Sequence, residues 1–195
     1  RRVLFRSASS HLDGVVVGPP ERTMGLKGGH VFEVVLDCIV PEANRLGPEG
    51  SGFRTALQTL DAGRLDIAAC CVGIAEAAYG AAREWSKTRR VGGAPIAELQ
   101  GIQWKLADMA TKIQQGYLLA LRLGQLKDEG RIEPEHISMG KRSNTRMALD
   151  VARTARGILG ANGITLEYPV LRHANNLESV YTYEGTDEIH TLSIG

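Results

Sequence analysis

Cysteine is scarce in this chain of 195 residues, and net charge is almost absent. The three cysteines, Cys38 and the adjacent Cys70 and Cys71, match neither a disulfide framework nor the spacing of a metal site. Buried, reduced thiols in a reducing compartment are the expectation. The five histidines (His11, His30, His136, His173, His190) form no His-Glu-x-x-His pattern, so no metal site is expected. A formal net charge of +1 leaves no electrostatic footprint for nucleic acid or an anionic membrane surface. The Lys87, Arg89, Arg90 cluster is too short to change that and reads as a solvated helix end. No long uncharged apolar run stands out, which argues against insertion in a membrane.

What is present is a change of period. From Gly14 to Pro41 the pattern is strand-like: Val15, Val16 and Val17 precede a Gly18-Pro19-Pro20 break, and Phe32, Val34, Leu36, Cys38 and Val40 alternate on one face. So short a region cannot close a sheet of its own and reads as the tail of a β-domain. After Gly47-Pro48-Glu49-Gly50, Leu57, Leu60, Leu65, Ala68, Val72, Ala75, Ala78, Ala82 and Trp85 recur at helical spacing. Gly92-Gly93 ends that helix. Pro95 is predicted to open a second, with Ile96, Leu99, Ile102, Leu106, Met109, Ile113 and Tyr117 inward, running to about Asp128-Glu129-Gly130. Pro134 opens a third through Ile137, Met147, Val151 and Ile158 to the Gly160–Gly163 region. A short helical piece from Pro169 to Leu177 and a terminal helix follow. Long helices with short connections predict a mainly α fold, an antiparallel helical bundle over 48–195, preceded by a β remnant over 8–47. Residues 1–7 look like translated adapter read-through rather than native sequence. With Ser193-Ile194-Gly195 stopping inside a patterned helix, they suggest a gene fragment.

One loop carries the chemistry. Tyr183-Glu184-Gly185-Thr186 sets a carboxylate between an aromatic ring and a glycine, just ahead of a helix start. Gly185 permits close backbone approach to a flat ligand and dihedrals closed to other residues. Thr186 is a good N-cap for a helix opening with Asp187 and Glu188, whose charges suit its positive end. Taken alone, the loop is equally an ordinary capped connection.

The loop resembles the catalytic signature of the acyl-CoA dehydrogenases, and other segments resemble that family in order and spacing. Thr23-Met24-Gly25-Leu26 is similar to its Met-Gly turn, and Val40-Pro41 with Leu46-Gly47 to the exit from its β-domain. Asp61-Ala62-Gly63-Arg64 resembles the segment that lines the acyl-CoA cavity in short-chain members. Asp61 and Arg64 also share a helix face and could simply be an ion pair. Arg89, eleven positions before Gln100, matches the pair that reaches the FAD of a neighbouring subunit. Gly157-Ile158-Leu159-Gly160-Ala161-Asn162-Gly163 is similar to a second flavin-contacting segment. There are departures: Gly157 stands where Gln is usual, Ala161 where Gly is usual, and Val91-Gly92-Gly93 lacks the usual aromatic after Arg89.

The resemblance implies an FAD-dependent dehydrogenation of an acyl-CoA thioester, of short-chain or glutaryl type. Glu184 would accept the α-proton as hydride leaves the β-carbon for the flavin. The Glu184 backbone N–H and a ribityl hydroxyl would hold the thioester oxygen. Tyr183 and Gly185 join Asp61, Ala62, Gly63 and Arg64 as implied substrate contacts. Thr186, Asp187 and Glu188 join Arg89, Gln100, Gly157, Ile158, Leu159, Gly160 and Ala161 as implied cofactor contacts. In the isovaleryl-type branch the base sits on the helix around Gly63, which offers no such carboxylate here. Implied partners are an electron-transfer flavoprotein and further copies of the chain, as a dimer or tetramer. The compartment would be the cytoplasm, or the mitochondrial matrix in a eukaryote. An acyl-CoA oxidase shares the base and is the alternative enzyme; a catalytically silent helical assembly module is the alternative of another class.

Overall fold

The structure, a computed structural model, describes residues 5, 6, 8 and 10–195. The predicted scar at 1–7 lies outside the described residues, apart from Phe5–Arg6 (β1), which pairs antiparallel with Arg45–Leu46 (β4). The chain forms two compact units, one ending at Ala62 and the other spanning Gly63–Gly195.

In the first unit, Val15–Pro20 (β2) pairs antiparallel with Phe32–Leu36 (β3), Val15 opposite Leu36 and Val17 opposite Val34. The predicted break at Gly18-Pro19-Pro20 is instead an irregularity in register, after which Pro20 faces Phe32. A bulge tolerates prolines that cannot donate to the ladder. β3 ends at Leu36, short of the expected Val40. At that end Gly14 accepts the Asp37 N–H at 2.8 Å. A side chain at Gly14 is excluded, because a Cβ there would lie 1.9 Å from the Asp37 carbonyl oxygen. All five β3 residues are exposed, as a two-stranded ribbon with no core requires.

Helix α1 (Gly52–Thr88) starts in the first unit and runs on through the second. An 18-residue stretch of it, mean hydropathy 1.4, is long and apolar enough to cross a membrane by length and composition alone. That corrects the reading that no such run exists. Leu65–Ala82 carries only Asp66 and Glu76, and its many alanines and paired cysteines raise the hydropathy. The alanines have a packing reason. Ala68, Cys71, Val72, Ala75, Ala78 and Ala82 are buried in the core of the second unit.

After α1, Arg90–Val91 (β5) and Ala94–Pro95 (β6) make a hairpin whose turn residues, Gly92 and Gly93, both have positive φ. The second long helix, α2 (Gln100–Asp128), therefore opens five residues later than predicted. Pro95 belongs to the hairpin and precedes a single turn over Ile96–Glu98, which Leu99 ends in extended conformation. Of the predicted inner face of α2, Met109 and Ile113 are buried, whereas Leu99 and Tyr117 are exposed. Helix α3 (Pro134–Leu159) begins with Pro at its first turn, as predicted, and a capping box between Glu133 and His136. It is the central helix. Leu123 lies against Gly140, Gly116 against Asn144, and Lys112 bonds Asp150, so α2 and α3 run antiparallel. Asn144 Nδ2 donates to Ala68 O and Gly116 O, both at 3.0 Å, so one amide ties α1, α2 and α3 together. Gly160 (φ +59) caps α3, and a short 3-10 segment follows. Helix α4 (Val170–Thr182) is longer than the predicted piece, because Leu177 and Val180 continue its buried face. Helix α5 (Asp187–Ile194) closes the chain.

Candidate active site

Glu184 lies in the four-residue connection between α4 and α5, within the second unit. Its φ is +53, a left-handed conformation unusual for a residue with a side chain, and Gly185 follows at +98. Thr186 caps α5 as predicted, its hydroxyl accepting the Ile189 N–H at 3.4 Å. Two cations hold the loop, Lys141 buried and Arg64 half-buried. Lys141 Nζ on α3 donates to Tyr183 O at 2.8 Å and to Gly185 O at 2.7 Å. Arg64 Nε on α1 donates to the intervening Glu184 O at 2.9 Å. Among the described residues, no acceptor takes the Glu184 N–H.

The carboxylate itself rests on α1. A Cβ at Gly63 would lie 2.9 Å from Glu184 Oε2 and 3.1 Å from Oε1, so the missing side chain is the space the carboxylate occupies. Oε2 is buried with no hydrogen-bond partner. A buried, unpartnered carboxylate oxygen is costly, and such a group in a native fold marks a site held ready for something else.

Behind the loop, α5 is anchored by charge. Asp187, 5 % exposed, accepts from Arg146 Nε at 2.6 Å and from a second Arg146 nitrogen, with Arg142 Nε at 3.6 Å. This pairing with Arg146 holds the Asp187 carboxyl below its ordinary range. His190 is buried, with Nδ1 3.2 Å from Ser138 Oγ. Burial, then the Lys141 and Arg64 charges, push the His190 imidazole below its usual value, favouring the neutral ring. Burial likewise lowers Lys141. The Cys71 thiol is pushed up to about 11 by burial and is inert. Cys70 is exposed and Cys38 half-buried, so only one of three thiols is buried as expected.

A family model, "Acyl-CoA dehydrogenase, C-terminal domain", matches residues 50–195. The chain belongs to the acyl-CoA dehydrogenase family. An acyl-CoA dehydrogenase of Bacillus subtilis is 41% identical over 182 residues, covering 93% of this chain and 48% of that protein. Butyryl-CoA dehydrogenase from Megasphaera elsdenii superposes with a TM-score of 0.94 at 36% identity, over 98% of this chain and 50% of that one. A glutaryl-CoA dehydrogenase from Mycobacterium smegmatis, solved with FADH2, gives 0.94 at 39% identity over the same shares. The chain thus spans about half the length of the relatives it matches.

The residues implied by resemblance to the acyl-CoA dehydrogenases separate into two groups. Glu184, Tyr183, Gly185, Gly63 and Arg64 converge. Arg64 has a defined partner in the Glu184 carbonyl, which makes it a support of the loop. Asp61 and Ala62 fall in the first unit. The second group stands apart: Arg89 and Gln100 are exposed on either side of the β5–β6 hairpin. From Gly63 to Thr88, α1 extends roughly 37 Å at its standard rise, so Arg89 and Glu184 serve different places in one chain. Gly157, Gly160 and Ala161 are exposed, but Ile158 and Leu159 are packed in the core. Only the backbone of that pair is left for a cofactor, because the apolar side chains continue the inner stripe of α3. Gly163 is buried, and a Cβ there would meet the Arg156 carbonyl oxygen at 2.3 Å, so it serves packing. The carboxylate of Asp187 is committed to Arg146, leaving Thr186 and exposed Glu188 as the nearer side chains for a ligand at the start of α5.

Lys141 and Arg146 were not among the residues singled out from sequence. A signal existed. Lys141 and Asn144 fall in the same helical phase as Ile137, Ala148, Val151 and Ala155, where the pattern calls for apolar residues.

Proposed function

We infer that this chain carries the general base of an FAD-dependent acyl-CoA dehydrogenase, with Glu184 taking the α-proton of an acyl-CoA thioester. The observation that carries this is the Glu184 carboxylate: its Oε2 is buried without a partner, it sits in the space left by Gly63, and its backbone is held left-handed by Lys141 and Arg64. A carboxylate with a free oxygen, held in a defined pose, is what proton abstraction beside a carbonyl requires. The Glu184 N–H supplies a donor for the thioester oxygen, which acidifies the α-carbon.

The groups present fit a flavin. Glu184 Oε2 is an orphaned buried polar atom at the site, and the exposed guanidinium of Arg89 and amide of Gln100 have the donor chemistry for phosphate and adenosine groups. When bound, the flavin supplies the hydride acceptor at the β-carbon. Since Arg89 lies far along α1 from Glu184, its contacts reach a cofactor beside another copy of the chain, and the working protein is a homo-oligomer. Electrons pass on to an electron-transfer flavoprotein, and the substrate is of short-chain or glutaryl type, in keeping with the relatives.

Glu184→Gln tests the assignment. The amide keeps the shape and cannot accept the proton. In the flavin-loaded protein, bleaching of the flavin by acyl-CoA is expected to slow by roughly 10²–10⁴-fold with flavin content unchanged. A variant that bleaches at the native rate would place the base elsewhere.

A further inference from the structure

Lys141 is 1 % exposed on the core side of α3. A lysine in that stripe forfeits hydration, and an apolar side chain would fill the space without that cost. What the ammonium gains is specific. It accounts for the two carbonyls flanking Glu184, at 2.8 and 2.7 Å, and lies 5.9 Å from the centroid of the Tyr183 ring. With Arg64 on the middle carbonyl, three consecutive carbonyls of the loop point at two cations. Charge-assisted bonds of this kind are roughly twice as strong as neutral ones. They oppose the strain of a left-handed glutamate, which otherwise relaxes toward ordinary backbone.

We propose that Lys141 is a positioning residue for the reaction: by gathering the Tyr183 and Gly185 carbonyls it locks Glu184 in the backbone conformation that seats its carboxylate against Gly63. This rests on the reading of Glu184 as the base. Lys141 touches neither substrate nor cofactor in this role; it acts through the loop. The loss of Lys141 therefore affects the rate of proton abstraction rather than the affinity for acyl-CoA.

Lys141→Met keeps the length and bulk of the side chain and removes the donors. Amide hydrogen exchange in the chain is expected to speed up about tenfold or more at Tyr183, the loop amide that donates to Ser179 O at 3.0 Å, with the α3 amides around Ala148–Ala155 unchanged. In the flavin-loaded protein, the limiting rate of bleaching by butyryl-CoA falls about tenfold or more, while the substrate concentration at half-maximal rate stays the same. A purely structural lysine would instead lower protection throughout the bundle. Native loop exchange overturns the proposal, and so does a loosened loop with a native bleaching rate. Should Lys141→Met fail to fold, Lys141→Gln replaces it; its shorter amide cannot reach both carbonyls, and native exchange in that variant is equally contrary. Glu184→Gln separates the two readings. If it bleaches normally, the base assignment falls and takes the catalytic part of this proposal with it, whereas the hold of Lys141 on the loop is judged by exchange alone.

Discussion

Glycine and lysine, rather than the carboxylate, make the Glu184 loop specific. Gly63 is helical and has no conformational need to be glycine; its role is the space a Cβ would take from the Glu184 carboxylate. Gly63→Ala should therefore separate stability from turnover. Removing a mid-helix glycine stabilises a helix by up to about 1 kcal/mol. The displaced carboxylate should lower turnover several-fold at least, roughly in line with the sensitivity of reactions to small misplacements. Gly80→Ala on the same helix, where a Cβ meets nothing within 4 Å, is the control and should stabilise without touching turnover. Equal turnover in the two variants would mean the Gly63 space is incidental. At this scale the sequence was partly legible. Tyr183-Glu184-Gly185-Thr186 announced a glycine dihedral closed to other residues and a helix cap, and both are present, whereas the left-handed backbone of Glu184 itself was not announced. Lys141 carried a signal only through the phase of α3, which it shares with Ile137, Ala148 and Val151, since beside Arg142 a lysine otherwise reads as surface. Asp187 likewise reads as a helix-start carboxylate, and its pairing with Arg146, 41 positions away, is a tertiary fact.

Among the elements, α5 is attached to the bundle largely through titratable groups, so its docking depends on pH. His190 is held below its ordinary 6.5 by burial, then by Lys141 and Arg64. The unfolded chain binds that proton more readily, so the native state loses stability as pH falls from 6.5 toward the lower folded value. Asp187 is held below 3.8 by Arg146, so its contribution is present above 3.8 and is lost as pH falls through its folded value. Urea midpoints measured against pH should thus fall in two steps on acidification, with His190→Gln shrinking the upper, to which half-buried His173, lowered by burial, also contributes, and Asp187→Asn shrinking the lower. A flat midpoint between about pH 7 and 5 in the native chain would contradict the role given to His190. Asn144 provides a second check. Its two donated bonds join three helices, and Asn144→Ala should cost roughly 2 kcal/mol of unfolding free energy, about 1 for each bond. No change in the urea midpoint would deny it that role. The long helices were legible because apolar period is a direct consequence of burial. Their ends were less so: Pro95 suits both a helix start and a hairpin, and only the pairing of Arg90–Val91 with Ala94–Pro95 decides between them. The apolar stretch of α1 was hidden from the sequence by Asp66 and Glu76, and the alanines that raise its mean hydropathy include the buried Ala68, Ala75, Ala78 and Ala82 of the core.

For the whole molecule, the exposed surface of α2 carries the consequence. Trp104, Leu118 and Leu121 are 66%, 54% and 47% exposed. Together with the placement of Arg89 far from Glu184, this points to assembly of several copies. Light scattering after size exclusion should find the chain oligomeric, with Trp104→Glu shifting it toward the monomer. A monomer carrying stoichiometric FAD would contradict the shared-site arrangement. The family and the helical bundle were legible in the order of the motifs. The division at Ala62, inside α1, was not, because a continuous helix gives no compositional break there.

The central claim is that Glu184 removes the α-proton, and the most direct test follows that proton. In deuterated water, the native flavin-loaded protein should wash deuterium into the α-carbon of a bound, non-oxidisable acyl-CoA analogue, detected by loss of its α-proton NMR signal. Glu184→Gln should show no exchange above the uncatalysed rate while binding the analogue as tightly. Exchange at the native rate in Glu184→Gln would contradict the account.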